Sequence, residues 1–143
     1  MDPQKNNSTI TKKSIFLIDD DQFLLDTYAL KFSKAGYEVN HAVSGDEALK
    51  KLREGYSPAI MLIDNIMPGM TGLEFVANLR KDNLTSDATI IMLTNQNSPE
   101  DVEAARKLNA DGYIVKAMAV PSEVLAEVEK IAIQHNLKKP HGL

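Results

Sequence analysis

Four short apolar runs and one mixed stretch, Glu38 to Ala42, divide the chain, and each is followed by a stretch in which apolar residues recur at helical spacing. The first run, Ser14-Ile-Phe-Leu-Ile18, precedes a helix predicted from about Gln22 to Ala35. Gly36 stops that helix, because glycine takes the left-handed closing conformation at little cost. Glu38 to Ala42 reads as a second strand, and Ser44-Gly-Asp-Glu47 has the spacing of a capping box that opens a helix running to about Arg53. Gly55 and Pro58 mark the next turn. Ala59-Ile-Met-Leu-Ile63 is apolar at every position, as a central strand covered on both faces requires, and a third helix covers roughly Gly72 to Arg80. Thr89-Ile-Ile-Met-Leu93 repeats the strand pattern. Ser98 followed by Pro99, Glu100 and Asp101 supplies a cap, a fixed first dihedral and acids at the positive end of the dipole, which opens a helix ending near Leu108 or Asn109. Gly112-Tyr-Ile-Val115 is a fifth short strand. Pro121 introduces a last helix with Val124, Leu125, Val128, Ile131 and Ala132 along one face.

Strands alternating with helices imply the α/β class: a doubly wound, five-stranded parallel sheet with five helices and right-handed crossovers. At 143 residues, 43% hydrophobic and 25% charged, the chain has the size of one globular domain, and a second domain of ordinary size will not fit. The expected organisation is a flexible N-terminal tail over 1–13, one domain over 14–136 and a C-terminal tail over 137–143. The absence of cysteine excludes disulfides and thiolate metal sites and suits a cytoplasmic protein. No apolar stretch has the length of a membrane span, and the polar start lacks the apolar region of a signal peptide. A net charge of -4 gives no footprint for direct binding of nucleic acid. The basic pairs Lys12–Lys13 and Lys138–Lys139 read as solubilising tails, and His41, His135 and His141 show no ligand spacing.

In a doubly wound sheet, ligands bind beyond the carboxyl ends of the strands. There the sequence places Asp19-Asp20-Asp21 after the first strand, Asp64 after the third, Thr94 after the fourth and Lys116 after the fifth. Carboxylates converging in one crevice repel each other and need protons or a cation to coexist. A hard divalent ion such as Mg²⁺ answers this with oxygen ligands, and a nearby lysine is the natural partner of a phosphate. Acids at strand-to-helix junctions are also ordinary helix caps, and that reading suits Asp21. Asp64 precedes Met67-Pro68-Gly69, a turn rather than a helix start, which weakens a capping role there. Thr94 or Lys116 alone would be an ordinary structural residue; their joint placement on successive strand ends points to phosphoryl transfer.

Four segments, Phe16-Leu-Ile-Asp-Asp20, Met61-Leu-Ile-Asp64-Asn-Ile-Met-Pro68-Gly-Met-Thr-Gly72, Ile91-Met-Leu-Thr94 and Ala110-Asp-Gly-Tyr-Ile-Val-Lys116, resemble the motifs of response-regulator receiver domains in order and spacing. The resemblance runs from about Ser14 to Gln134 and implies the flavodoxin-like receiver topology. It also implies that Asp64 takes a phosphoryl group from a phosphohistidine of a histidine kinase or histidine phosphotransfer protein. Asp20 and Asp64 would ligate Mg²⁺ directly, Asp19 through water, and the main-chain carbonyl of Ile66 would add a ligand. Lys116 and Thr94 would contact the phosphoryl group. Thr94 and Tyr113 would switch the face made by the fourth helix, fifth strand and last helix, controlling a protein partner or a phosphorylation-linked dimer. For Tyr113, plain packing at the sheet edge is an equal alternative. On this reading the chain is a signalling module rather than a turnover enzyme.

The sequence departs from the family pattern in three places. Ala117 stands where a proline after a cis peptide bond is common, and a cis bond before alanine costs about 3–4 kcal/mol. Asn95 stands where a small residue is usual, which narrows access and implies slow labelling by small donors. Ile66 and Gln96 border the position of the attacking water, and an aliphatic Ile66 cannot position that water, which implies a long-lived acyl phosphate. A haloacid-dehalogenase-like phosphatase needs an acid two residues after its nucleophile, where this chain has Ile66. A flavodoxin-like cofactor carrier needs a glycine- and hydroxyl-rich first loop, where Asp19, Asp20 and Asp21 would repel a phosphate. The nearest rival is a phosphorylation-independent adaptor, a pseudo-receiver.

Overall fold

In the computed structural model, residues 13–95, 98–116 and 120–138 are described. The strands are β1 (Ser14–Ile18), β2 (Glu38–Ala42), β3 (Ile60–Asp64), β4 (Thr89–Thr94) and β5 (Gly112–Val115). The helices are α1 (Gln22–Lys34), α2 (Gly45–Arg53), α3 (Gly72–Lys81), α4 (Pro99–Lys107) and α5 (Pro121–Lys138). All strand pairs are parallel, in the order β2-β1-β3-β4-β5. Every residue of β1, β3 and β4 is buried, whereas the edge strand β2 is largely exposed before Ala42 and β5 is half-buried except at Ile114, which is buried. That gradient explains the unbroken apolar runs: a central strand has a hydrophobic layer on each face, so both sets of alternate side chains must be apolar.

The alternation sorts the core into two layers. Phe16, Ile18, Met61, Ile63, Ile90 and Met92 face one side and pack with Leu49 of α2, Phe75 and Leu79 of α3, and Ala105 of α4. Ile15, Leu17, Leu62, Ile91 and Leu93 face the other, against Leu25 and Phe32 of α1 and Val124 and Val128 of α5. Helix α4 is the most lightly anchored, since Ala105 is its one buried residue. Its C-terminal end is tied instead by Arg80 of α3, whose Nε and Nη2 donate to the carbonyls of Leu108 and Asn109 at 3.0 and 2.9 Å. Asn109 takes the left-handed conformation at φ 63°, which asparagine tolerates after a helix end.

The predicted elements are all present, with instructive shifts at their ends. β3 begins at Ile60 and β4 continues through Thr94, so Asp64 and Thr94 are the last strand residues rather than the first loop residues. A backbone ladder is indifferent to side-chain polarity, and Asp64 pairs with Leu93 while Thr94 pairs with Val115. At Ser44 the expected box is only half made: Ser44 Oγ accepts from Glu47 N–H, but Glu47 reaches back to Val43 N–H instead. The complete box forms at Thr71 and Glu74, at the head of α3. Helix α5 runs through Lys138, past the expected domain boundary. Among the described residues no helix is long and apolar enough to cross a membrane.

Candidate functional site

The strand order reverses between β1 and β3, and parallel pairing brings their carboxyl ends side by side. Asp19 follows β1 and Asp64 ends β3, so both carboxylates fall at the switch point, where a doubly wound sheet leaves a crevice. The crevice has a volume of about 370 Å³ and is lined by Asp19, Asp20, Asp21, Asp64, Ile66, Thr94, Asn95 and Lys116. A larger open cavity of about 800 Å³ lies at the opposite edge of the sheet, between Pro58, Ala88 and Ile133, and gathers no cluster of ligating side chains. Chemistry therefore directs attention to the smaller one.

Asp19 and Asp64 are 5% and 6% exposed, and Lys116 reaches over from the end of β5 to lie between them. Its Nζ donates to Asp19 Oδ2 at 2.8 Å and stands 3.5 Å from Asp64 Oδ1. The second oxygen of Asp19 accepts from the Asp21 N–H at 2.9 Å. Asp21 itself caps α1, its Oδ1 accepting from Phe23 and Leu24 N–H, as its position in the sequence suggests. The triple aspartate is thus divided between one helix cap and two residues that face the crevice.

One carboxylate oxygen from each of Asp19, Asp20 and Asp64 falls within 4.8 Å of the others, and Asp20 remains exposed to solvent. Three hard oxygen donors at that spacing, two of them buried, fit a small divalent cation such as Mg²⁺, which keeps several of its waters. Burial, together with the charge of Asp19, pushes the Asp64 carboxyl up to about 6 against the opposing pull of Lys116. Burial pulls the Lys116 ammonium down, but its bond to Asp19 and the charges of both aspartates outweigh this and raise it, so it stays cationic. One ammonium against three carboxylates leaves the crevice short of positive charge.

Thr94 is wholly buried at the end of β4 and lines the crevice, while Ile66 is 53% exposed on its rim. Tyr113 lies elsewhere: it pairs with Met92 and packs, half-buried, on the layer shared with α2, α3 and α4. Burial first, then the charge of Asp101 on α4, raises its hydroxyl. The peptide bond to Ala117 and the side chain of Gln96 fall outside the described residues. Sequence reasoning passed over two residues at this site. Asn65, 8% exposed, accepts from Gly72 N–H through its main-chain oxygen at 2.8 Å and from Leu73 N–H through Oδ1 at 3.1 Å. Gly72 packs so closely on the Asp64 carbonyl that a β-carbon there would stand 2.5 Å from it. A polar residue two positions after an apolar run was the available signal for Asn65, and for Gly72 the signal was its place at the close of the Asp64–Gly72 segment.

The model of the response regulator receiver domain family matches residues 15–129. The alkaline phosphatase synthesis transcriptional regulatory protein PhoP of Bacillus subtilis is 31% identical over 128 residues, covering 90% of this chain and 52% of PhoP. The chain therefore spans about half the length of the curated relatives it matches. Among solved structures, Vibrio cholerae chemotaxis protein CheY4 superposes with a TM-score of 0.78 at 30% identity, covering 85% of this chain and 99% of CheY4. A CheY-like receiver domain protein from Methanospirillum hungatei gives 0.80 at 27% identity, with 90% and 100% covered.

Proposed function

The chain belongs to the response-regulator receiver family of two-component systems, and on that premise we propose that it is a Mg²⁺-dependent phosphorylation switch with Asp64 as phosphoacceptor. The observation that carries this is the convergence of Asp19, Asp20, Asp64, Thr94 and Lys116 in one crevice. Oδ of Asp64 attacks phosphorus in line, the P–N bond of a phosphohistidine breaks, and the electron pair leaves with the imidazole nitrogen. The phosphohistidine belongs to a histidine kinase or a histidine phosphotransfer protein. An Asp64 carboxyl at about 6 is mostly ionised at neutral pH, so no general base is needed. Lys116, already between the two buried aspartates, turns its ammonium to the incoming phosphoryl oxygens, and Thr94 offers its hydroxyl to another.

Asp20, Asp64 and the main-chain carbonyl of Ile66 would hold the Mg²⁺. Asp19 would act through water, in keeping with the engagement of both its oxygens by Lys116 and the Asp21 N–H. When bound, the ion neutralises the charge of the phosphoryl group and of the carboxylates around it. The readout is a population shift of the α4, β5 and α5 face, in which Thr94 and Tyr113 move and a cytoplasmic protein partner or a second copy is engaged. Direct binding of nucleic acid is not part of the reading.

The test is intact mass after incubation with Mg²⁺ and acetyl phosphate, with a histidine phosphotransfer protein as second donor and Asp64→Ala alongside. One added phosphoryl group that requires both Mg²⁺ and Asp64 is expected. No label from either donor on the folded chain overturns the reading in favour of a phosphorylation-independent adaptor. Asn95, which lines the crevice, is expected to make labelling by the small donor the slower of the two. Once formed, the acyl phosphate is expected to outlive the seconds scale, because the exposed aliphatic Ile66 cannot orient a hydrolytic water. Loss of label after donor removal measures this. Ile66→Asn should shorten the lifetime, and an unchanged decay in that variant sinks the idea.

A further inference from the structure

Among the described residues, the head of α3 is the best-satisfied helix start, and the residue responsible stands next to the phosphoacceptor. A helix leaves its first N–H groups without internal partners. Here Gly72 N–H donates to the Asn65 main-chain oxygen, Leu73 N–H to Asn65 Oδ1, and Glu74 N–H to Thr71 Oγ1, while Thr71 N–H donates to Glu74 Oε1. Two of the four bonds therefore come from one buried residue that is seven positions upstream of the helix. They close residues 66–71 into a loop pinned at both ends, and that loop carries Ile66 into the crevice. A carboxamide in the second position after an apolar run gains nothing from burial unless its acceptor is used, and this one is used on a backbone donor.

We propose that Asn65 is a positioning residue for the cation site: its two acceptors lock the loop bearing Ile66 and fix the direction in which Asp64 leaves β3. This rests on the phosphoacceptor reading above. The side chain is not among those that line the crevice. Its effect passes through the Ile66 carbonyl and the Asp64 backbone, as outer groups around a metal commonly act through the ligands they orient.

The experiment titrates Mg²⁺ into the full chain by calorimetry for the native sequence, Asn65→Leu, Asn65→Asp and Thr71→Ala. Amide exchange at Leu73 is followed in the metal-free state. Asn65→Leu keeps the bulk and loses the acceptor; it should weaken Mg²⁺ binding about tenfold and speed exchange at Leu73. Asn65→Asp restores an acceptor and should return Leu73 protection, with Mg²⁺ binding no weaker than native. Thr71→Ala removes a cap from the same helix end and should lower thermal stability with Mg²⁺ affinity unchanged. If Asn65→Leu does not fold, Asn65→Ala carries the same expectation. Native Mg²⁺ affinity in the Leu or Ala variant overturns the proposal, and so does an equal loss in Thr71→Ala, which would make the role one of helix capping alone. Failure of the native chain to bind Mg²⁺ would remove the phosphoacceptor reading as well, whereas native binding and labelling with an inert Asn65 would remove this inference only.

Discussion

Asp64→Asn should abolish phosphoryl uptake and, in the same molecule, raise the stability of the metal-free fold at pH 7 by about 2 to 3 kcal/mol. Loss of uptake follows from the chemistry, since an amide oxygen is no nucleophile toward phosphorus under these conditions. The gain follows from linkage. Asp64 is held up to about 6 by burial and by Asp19, against an ordinary value of 3.8. The folded chain therefore binds a proton more tightly than the unfolded chain does. A carboxyl raised in this way lowers stability as pH climbs from about 4 to about 6, and at pH 7 the whole penalty of keeping it ionised is present. Asparagine has no charge to keep, so urea unfolding at pH 7 should show the variant more stable, and the two curves should converge near pH 4. Mg²⁺ reverses the order by stabilising the native chain alone. A variant no more stable than the native chain at pH 7 would mean that Lys116 already balances the site.

Gly72→Ala should be the most damaging single methyl added near the site. At the first turn of an exposed helix, alanine in place of glycine is normally favourable. Here a β-carbon would stand 2.5 Å from the Asp64 carbonyl oxygen, 2.8 Å from Asn65 Cα and 2.9 Å from Met92 Cε. Two of those three neighbours are backbone, so the strand end or the helix must move. Overpacking of this kind costs about 1 to 3 kcal/mol. The displaced backbone is that of the nucleophile, and a shift of about an ångström costs on the order of 100-fold in rate. Thermal unfolding and the initial rate of labelling measure the two effects. Gly112→Ala is the comparison, because its β-carbon would meet side-chain atoms of Ile131 alone (Cδ1, Cγ1 and Cγ2) and no backbone. Equal behaviour of the two variants would show that the close approach at Gly72 is absorbed without moving Asp64.

The periodicities carried most of the fold, because the three central strands are buried on both faces and leave no polar position to confuse the reading. The helix ends at Gly36 and Ser98 were equally legible, since each depends on one residue's own backbone or side-chain preference. What escaped was set by tertiary contact. Strand β3 ends at Asp64 and β4 at Thr94 because neighbouring backbones continue to pair there, which no side-chain pattern announces. Glu47 bonds one residue beyond its expected partner, to Val43 rather than Ser44, while the full box at Thr71 stands beside a conspicuous Met-Pro-Gly turn. The carboxylates and Lys116 were legible as a set through their common place at strand ends. Asn65 was not, since its meaning depends on the Leu73 amide that the loop brings back to it.

Arg80 gives α4 the mechanics of a hinged lever. The helix holds one side chain in the core, yet its C-terminal carbonyl end is clamped by a guanidinium rooted in α3. A weakly seated rod pinned at one end has its fulcrum there and swings most at the other. The free end is the one that begins at Ser98, four residues beyond Thr94 at the crevice. Any tilt of α4, and of the surface it shares with Tyr113, is therefore expected to be largest at its Ser98 end and smallest at Leu108.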